Sequence, residues 1–532
     1  MEHKINRWVA VLLYFCLSVL TGVMVLGCDD FFFDKQASSG PMPPEPLQRG
    51  PRIAAKSIPL EPAFVGEEGV GAHGYPLRQP DEAALLNLLR LKRFDRLEQW
   101  MEYYQAEFEK DFRKEDWPDA MLSAFFVADP AIAPLLDQWV KRSPDHFAPF
   151  AARGNHRFKM AQHVRGGKFA KDTSQAQFRT MDVRHQAAAK DFQRAIALRP
   201  KLVAAHRRLV QMAESLPNKT ERQLLDAGLA HCPLCFHLRV HYLRNITPRW
   251  GGSYKQMDAY VQEIQPLVKD NPKLAILAGF THWDRCRTLR EAKEPEQAAK
   301  ACDAALAFGD HPHFLIEKAK LFDSKKQAAE RLPWLDRALR LDPQERGALQ
   351  KRFYARAKTK NYTGAALDLI LARQLSPTNE ILADNVKWLR DTLRFEGDQL
   401  YKAGQHKRAL RLFSLGSQLD PDDNDLRYRA GWAQKQGGLI TSEAELAAKP
   451  DDFELRLQRD NALAAKHKFG EVVKMWDTYI EGHPDDPRAY RERAGAKWQQ
   501  GQRKEGVVDM QRACELGLNK ACQDVPKMKR RM

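Results

Sequence analysis

The chain has 532 residues, with 43% apolar and 29% charged residues. That is an ordinary globular mix, which excludes wholesale disorder and collagen-like structure and leaves room for several domains or one long repeat array. Lys and Arg (85) outnumber Asp and Glu (69), a net charge of +16 that points to an anionic partner, and eight cysteines are too few for a disulfide-dense mini-protein.

The first element is an export signal. Lys4 and Arg7 precede an apolar run from Trp8 to Gly27, which ends Val25-Leu26-Gly27-Cys28 before Asp29 and Asp30. A basic start, an apolar stretch and small residues at the end describe a secretory signal. The tetrapeptide resembles the lipobox of bacterial lipoproteins, with Leu26 where a small residue is more usual. The resemblance implies a signal peptide over 1–27 and a lipidated Cys28. It implies inner-membrane retention through Asp29. An uncleaved transmembrane anchor is the other reading, since ~20 apolar residues can span a bilayer. Both place the remainder outside the cytoplasm. Nucleic acid then drops out of the expected partners. Residues 28–80 read as a tether, for nine of the 30 prolines lie there together with Gly66, Gly69, Gly71 and Gly74. Phe31-Phe32-Phe33 either dips into the lipid interface or packs on the folded part.

From Asp81 onward apolar residues recur three or four apart, the period of amphipathic helices. A signature repeats within them: Ala, then an aromatic four residues later, a small residue three later, and Pro five later. Ala188, Phe192, Ala195 and Pro200 fit it fully. Ala409, Phe413, Gly416 and Pro421 fit again, with Gly397, Tyr401 and Gly404 at first-helix positions. Ala365, Leu369, Ala372 and Pro377 follow it, as do Leu335, Ala338 and Pro343, and Val472, Trp476, Tyr479 and Pro484. Pro343 and Pro377 are 34 residues apart. This resembles the tetratricopeptide repeat (TPR), a helix-turn-helix unit of that period. The resemblance implies an all-α, right-handed α-solenoid of stacked helical hairpins. The expected organisation is a specialised TPR-like domain at 81–310, a TPR array with a capping helix at 311–525, and a basic tail at 526–532.

Residues 82–300 also resemble a bacterial helical domain family of unknown function. The resemblance rests on Arg93 to Glu98, Ala152-Arg153-Gly154, the Ala188–Pro200 unit, and Arg249-Trp250-Gly251-Gly252-Ser253 after Pro248. Locally, the two glycines predict a tight turn. Ser253 and Gln256 predict a capping box, and Trp250 is expected to close the turn against the preceding helix. The motif reads either as a packing corner or as a ligand-contacting loop.

Six cysteines remain beyond Cys16 and Cys28, an even number that suggests three disulfides outside the cytoplasm. In the repeat register Cys286 takes the small position of a first helix and Cys302 the bulky position of the second. Those positions face each other, so they are expected to pair. Cys514 and Cys522 would join the last repeat to a capping helix, in a setting that resembles cysteine-bearing repeats of exported bacterial proteins. Cys232-Pro233-Leu234-Cys235 reads as a structural disulfide, a redox pair or part of a metal site. Haem attachment is excluded because Phe236, not His, follows Cys235.

The positive charge is concentrated. Lys141 to Lys219 holds 17 Lys and Arg against five Asp and Glu. Arg153, Arg157, Lys159, Arg165 and Lys168 form its densest part and a candidate anionic-ligand patch. The plainer reading is a solvated face, or one answered by acids elsewhere in the array. No HExxH, GxSxG, P-loop or dinucleotide-binding glycine pattern occurs, so no catalytic residue, metal or cofactor is expected. The expected function is a membrane-tethered, extracytoplasmic scaffold in the bacterial cell envelope that binds partner proteins. The alternatives are a module for an anionic envelope polymer or lipid centred on 141–219, and a thiol–disulfide protein using Cys232 and Cys235.

Overall fold

The computed structural model describes residues 62–532 apart from 167–171, 217–219, 323–326, 422, 438–445, 447–448, 450 and 465. The signal segment, Cys28 and most of the expected tether therefore lie outside the described residues. The fold is all-α, with 24 α-helices among the described residues. Its only sheet there is a two-residue antiparallel pair, Phe64–Val65 with Gln79–Pro80. The described residues divide into two compact units. The first holds Phe64–Leu85 and Phe94–Ala348, the second Leu86–Arg93 and Leu349–Met532.

Both units are built from antiparallel helical hairpins, and the sequence signature explains how each closes. The small residue of a first helix meets the bulky residue of the second. A Cβ added to Gly154 would lie 3.1 Å from the Phe192 ring, and one added to Gly397 would run into the Phe413 ring. Cys286 and Cys302 occupy this same pair of positions, with Cα atoms 5.1 Å apart in a disulfide. Phe192, Phe413 and Trp476 are all fully buried at their hairpin seams, each worth about 2–3 kcal/mol of apolar burial.

The hairpin turn has one backbone requirement. Lys293, Lys360, Gly404, His467 and Gly501 all have positive φ, at 62°, 60°, 71°, 54° and 86°. Each stands two residues before its second helix, which starts at Pro295, Tyr362, His406, Phe469 or Arg503. A left-handed residue is what redirects the chain after one helix into the next. Three of the five turns adopt that conformation without glycine.

Two boundaries differ from the sequence reading. Residues 64–80, assigned to the tether, are part of the first unit. Phe64 packs on Tyr104 and Trp117 at 5.4 and 4.8 Å between ring centres. Tyr75 and Leu77 are buried. Gln79 Nε2 donates to the Leu341 carbonyl at 3.1 Å, and Gln344 Nε2 donates to the Pro80 carbonyl at 2.9 Å. Glycine-rich composition suggested freedom, but Gly66, Gly69 and Gly74 have φ of 97°, 109° and 76° and make specific turns. At the other end, Lys527, Lys529 and Arg530 belong to the Asn519–Arg530 helix rather than to a separate tail. Among the described residues no helix is long and apolar enough to cross a membrane.

Candidate functional site

The four described residues of the predicted patch do not form one surface. Arg153 and Arg157 share a face of the Phe147–Arg165 helix and converge on one carboxylate. Arg153 donates from Nε and Nη2 to Asp191 at 3.1 and 2.7 Å, and Arg157 Nη1 donates to it at 2.8 Å. The Asp191 side chain is 5% exposed. Arg153 Nη1 also donates to Asp137 at 2.9 Å. Lys159 is two residues past Arg157, which at 100° per residue places it on another side of the helix. Its ammonium lies 4.7 Å from the Phe126 ring centre. Arg165 lies over Phe178 and donates to the Gly166 carbonyl at 3.0 Å. Lys168 lies outside the described residues.

The Arg153–Arg157–Asp191 arrangement recurs, which identifies it as a hairpin clamp. Arg352 donates from Nη2 to Asp368 at 2.7 Å and Arg356 from Nη1 at 2.9 Å. Arg493 donates from Nη2 to Asp509 at 2.7 Å, and Lys497 reaches the same carboxylate at 2.8 Å. In each case two cations four apart on the first helix hold an aspartate just before the bulky seam residue of the second: Phe192, Leu369 or Met510. The first arginine also reaches back to the preceding helix, Arg153 to Asp137 and Arg493 to Asp477 at 2.8 Å. These arginines are occupied in holding helices together.

The Arg249–Ser253 motif is a packing corner with an exposed tip. Gly251 is left-handed at φ 82°, and a Cβ on Gly252 would overlap the Ile246 carbonyl. Ser253 Oγ accepts from the Gln256 backbone N–H at 3.2 Å. The other half of the expected capping box is replaced, for Ser253 Oγ–H donates to Gln256 Oε1 at 3.2 Å. Arg249 pairs with Glu291. Trp250 does not close the turn. Its side chain is turned outward and 43% exposed.

All three expected cysteine pairs are disulfides, with Cα separations of 5.4 Å for Cys232–Cys235 and 4.7 Å for Cys514–Cys522 besides the one above. The Cys232–Cys235 turn is pinned on every side. The Phe236 and His237 N–H groups that open the His237–Asn245 helix donate to the buried Glu115 carboxylate at 2.9 and 3.0 Å. Arg239 Nη2 donates to the Pro233 carbonyl at 2.6 Å, and Asn271 Nδ2 donates to the Leu234 carbonyl at 2.7 Å. Burial pushes the Glu115 carboxyl up, against the pull of His237 and Lys273. Among the described residues no three His, Cys, Asp or Glu side chains converge as a metal site would need.

Two features that the sequence reading missed stand out. In the first unit, four cations gather: Lys159, Arg207, Arg208 and Arg346. Arg207 Nε donates to Asp119 at 2.8 Å and Arg346 Nη2 donates to Glu82 at 2.7 Å. Arg208 is 5% exposed. It lies over the Phe126 and Phe158 rings at 4.9 and 5.7 Å. Burial, with Arg207 and Arg346 nearby, holds its guanidinium well below the usual arginine range. Lys159 is pushed down to about 8 by burial and by the positive charges of Arg346 and Arg208.

In the second unit, aromatic side chains stand in solvent on three successive first helices. They are Tyr354 on Arg346–Lys358, Trp388 and Phe395 on Glu380–Lys402, and Tyr428 and Trp432 on Asn424–Gln436. Their exposures are 38%, 49%, 62%, 67% and 58%. Seven- and four-residue spacings keep each pair on one helix face. Asn385 Nδ2 donates to the Tyr354 hydroxyl at 2.9 Å, and Arg394 Nε lies 3.1 Å from Asp425, so the three helices are neighbours. Exposed apolar residues gathered on neighbouring elements, unlike ones scattered singly, are the kind of surface at which partners bind.

No protein-family model and no curated protein matches the chain. Solved structures with some likeness are helical-repeat proteins. The P58(IPK) TPR domain is 12% identical, covering 81% of this chain and 98% of its own, at a TM-score of 0.21. Yeast Tom70 is 13% identical over 85% of this chain and 96% of its own, at 0.22. YrrB, described as a TPR protein with an unusual peptide-binding site, is 17% identical over 41% of this chain and 93% of its own, at 0.16. Likeness at this level says nothing about what this protein binds.

Proposed function

We propose that the protein is a helical-repeat scaffold that binds a partner protein outside the cytoplasm, held to the bacterial cell envelope by a lipid on Cys28. The observation that carries the binding role is the row of solvent-exposed aromatics at Tyr354, Trp388, Phe395, Tyr428 and Trp432. Tyr and Trp supply large contact area at low entropic cost and dominate binding energy at protein interfaces. Stacked hairpins present such side chains on a preformed surface, so little ordering entropy is lost on binding. Function here is recognition, without catalysis.

The tether rests on Lys4, Arg7, the apolar run and Gly27-Cys28, with Asp29 favouring the inner membrane. Cys28→Ser should move the protein from the membrane to the soluble periplasmic fraction. A photo-crosslinking residue at Thr392, between Trp388 and Phe395, tests the binding face in living cells. A discrete adduct is expected there and not from Val508, which is also exposed. Trp388→Ala should abolish it. Equal adducts from both positions, or none from Thr392, would refute the reading.

A further inference from the structure

The three disulfides differ in what a dissolved thiol can reach. Cys232, Cys235, Cys286 and Cys302 are all buried, none more than 5% exposed. Cys514 is half-buried and Cys522 is exposed. A thiolate must touch a sulfur to exchange with it, so buried disulfides resist reduction and exposed ones are the labile, regulatory class.

The exposed bond holds the cap of the array. It joins the last turn of the Arg503–Glu515 helix to the first turn of Asn519–Arg530, with Cα atoms 4.7 Å apart. The apolar contact beneath the cap is small. Leu518, Ala521, Val525 and Met528 meet Ala494, Met510 and Ala513. On the outer side Gln523, Lys527, Lys529 and Arg530 stand in solvent. Each hairpin of a repeat array leaves an apolar edge for its neighbour, and the terminal element must cover the last one. With so little apolar area, the cross-link is a large part of what keeps this cap in place.

We propose that Cys514–Cys522 is a redox latch, opened by thiol–disulfide exchange with an exported dithiol protein, and that opening frees the capping helix. One thiolate of the dithiol attacks the exposed Cys522 sulfur. The Cys514–Cys522 bond breaks, a mixed disulfide forms, and Cys514 leaves as a thiolate and takes up a proton. The second thiol of the dithiol then loses its proton and attacks its own partner sulfur, and Cys522 leaves. Two electrons and two protons pass to the cysteine pair, and the dithiol becomes a disulfide. Cys522 is placed to leave as an anion, since it lies near a helix N-terminus where backbone N–H groups favour negative charge. Leu518, before that helix, supplies no side-chain cap to compete for them.

The test uses the oxidised full chain, with reduced thioredoxin and with dithiothreitol as the probes. Timed alkylation and peptide mapping follow each cysteine under native conditions. Cys514 and Cys522 should become reactive first, about tenfold faster than the other four. Amide hydrogen exchange reads the second half of the proposal. Once that pair is reduced, residues 519–530 should exchange on the order of tenfold faster, while the Phe469–Gly482 helix is unchanged. Cys522→Ser should exchange like the reduced chain without any reductant. A bond that only decorates a well-packed helix would be reduced with no effect on exchange. Reduction of either buried pair as fast as Cys514–Cys522, unchanged exchange in 519–530 after reduction, or a Cys522→Ser chain that exchanges like the oxidised parent would overturn the proposal.

Discussion

Asp191→Asn separates a hairpin clamp from a ligand patch, because the two readings predict opposite results. Asp191 is 5% exposed on its side chain and takes three hydrogen bonds, at 3.1 and 2.7 Å from Arg153 and 2.8 Å from Arg157. The substitution keeps the shape and removes the charge, leaving two guanidinia against the Phe192 seam. Breaking a buried ion pair by removing one partner costs about 3–5 kcal/mol. For a unit of this size each kcal/mol lowers the melting temperature by about 2–4 °C, so a fall of roughly 10 °C is expected. The triple variant Arg153→Met, Arg157→Met and Asp191→Leu should recover most of it, because apolar groups in place of a buried ionic cluster are often neutral. The assay is thermal unfolding of the full chain followed by circular dichroism. If Asp191→Asn melts like the parent and instead binds anions more tightly, the clamp reasoning fails and the patch reading returns.

Two further outcomes follow from the same physics. Asp460 is buried, accepts from Trp476 Nε1 at 2.6 Å, and is pushed up to about 7 by burial and by Glu492. Its folded value is raised, so its contribution to stability is complete below about pH 4 and is lost as pH rises through 7. The second unit should therefore weaken over that range, and Asp460→Asn should flatten the decline and be the more stable form at pH 8 by urea denaturation. Replacing both Cys286 and Cys302 by Val opens a loop of sixteen residues between two buried positions. It should cost about 3 kcal/mol and make the melting of that unit less sensitive to reductant. Unchanged melting would mean that the packing already fixes that hairpin.

The helical class and the hairpin seams were legible because they depend on local spacing. Ala188, Phe192 and Ala195, or Gly397 and Phe413, carry their packing partners in the pattern itself. The Cys286–Cys302 pair followed from that register. The turns were harder to read, since Lys293, Lys360 and His467 adopt the left-handed conformation that only Gly404 and Gly501 announce. The basic patch misled because closeness in sequence is not closeness in space. Arg153 and Arg157 share a face with each other, and Lys159 does not. The signal that could have identified the clamp was present: two cations four apart, then an aspartate before a bulky residue, repeated at Arg352, Arg356 and Asp368 and at Arg493, Lys497 and Asp509. Asp191 hid the pattern because 38 rather than 16 residues separate it from its arginine. Residues 64–80 were misread because composition counts glycine as freedom, whereas their docking depends on Gln344 and Leu341, more than 260 residues away.

The central claim is that the aromatic row of the second unit is covered by a partner in the cell. Side-chain oxidation by hydroxyl radicals reads this directly at Trp388 and Trp432, which are 49% and 58% exposed in the chain alone. Both should oxidise readily in the purified protein and be strongly protected in intact cells, while Trp250, 43% exposed in the other unit, reacts alike in both. Equal oxidation of Trp388 and Trp432 in cells and in isolation would contradict the account.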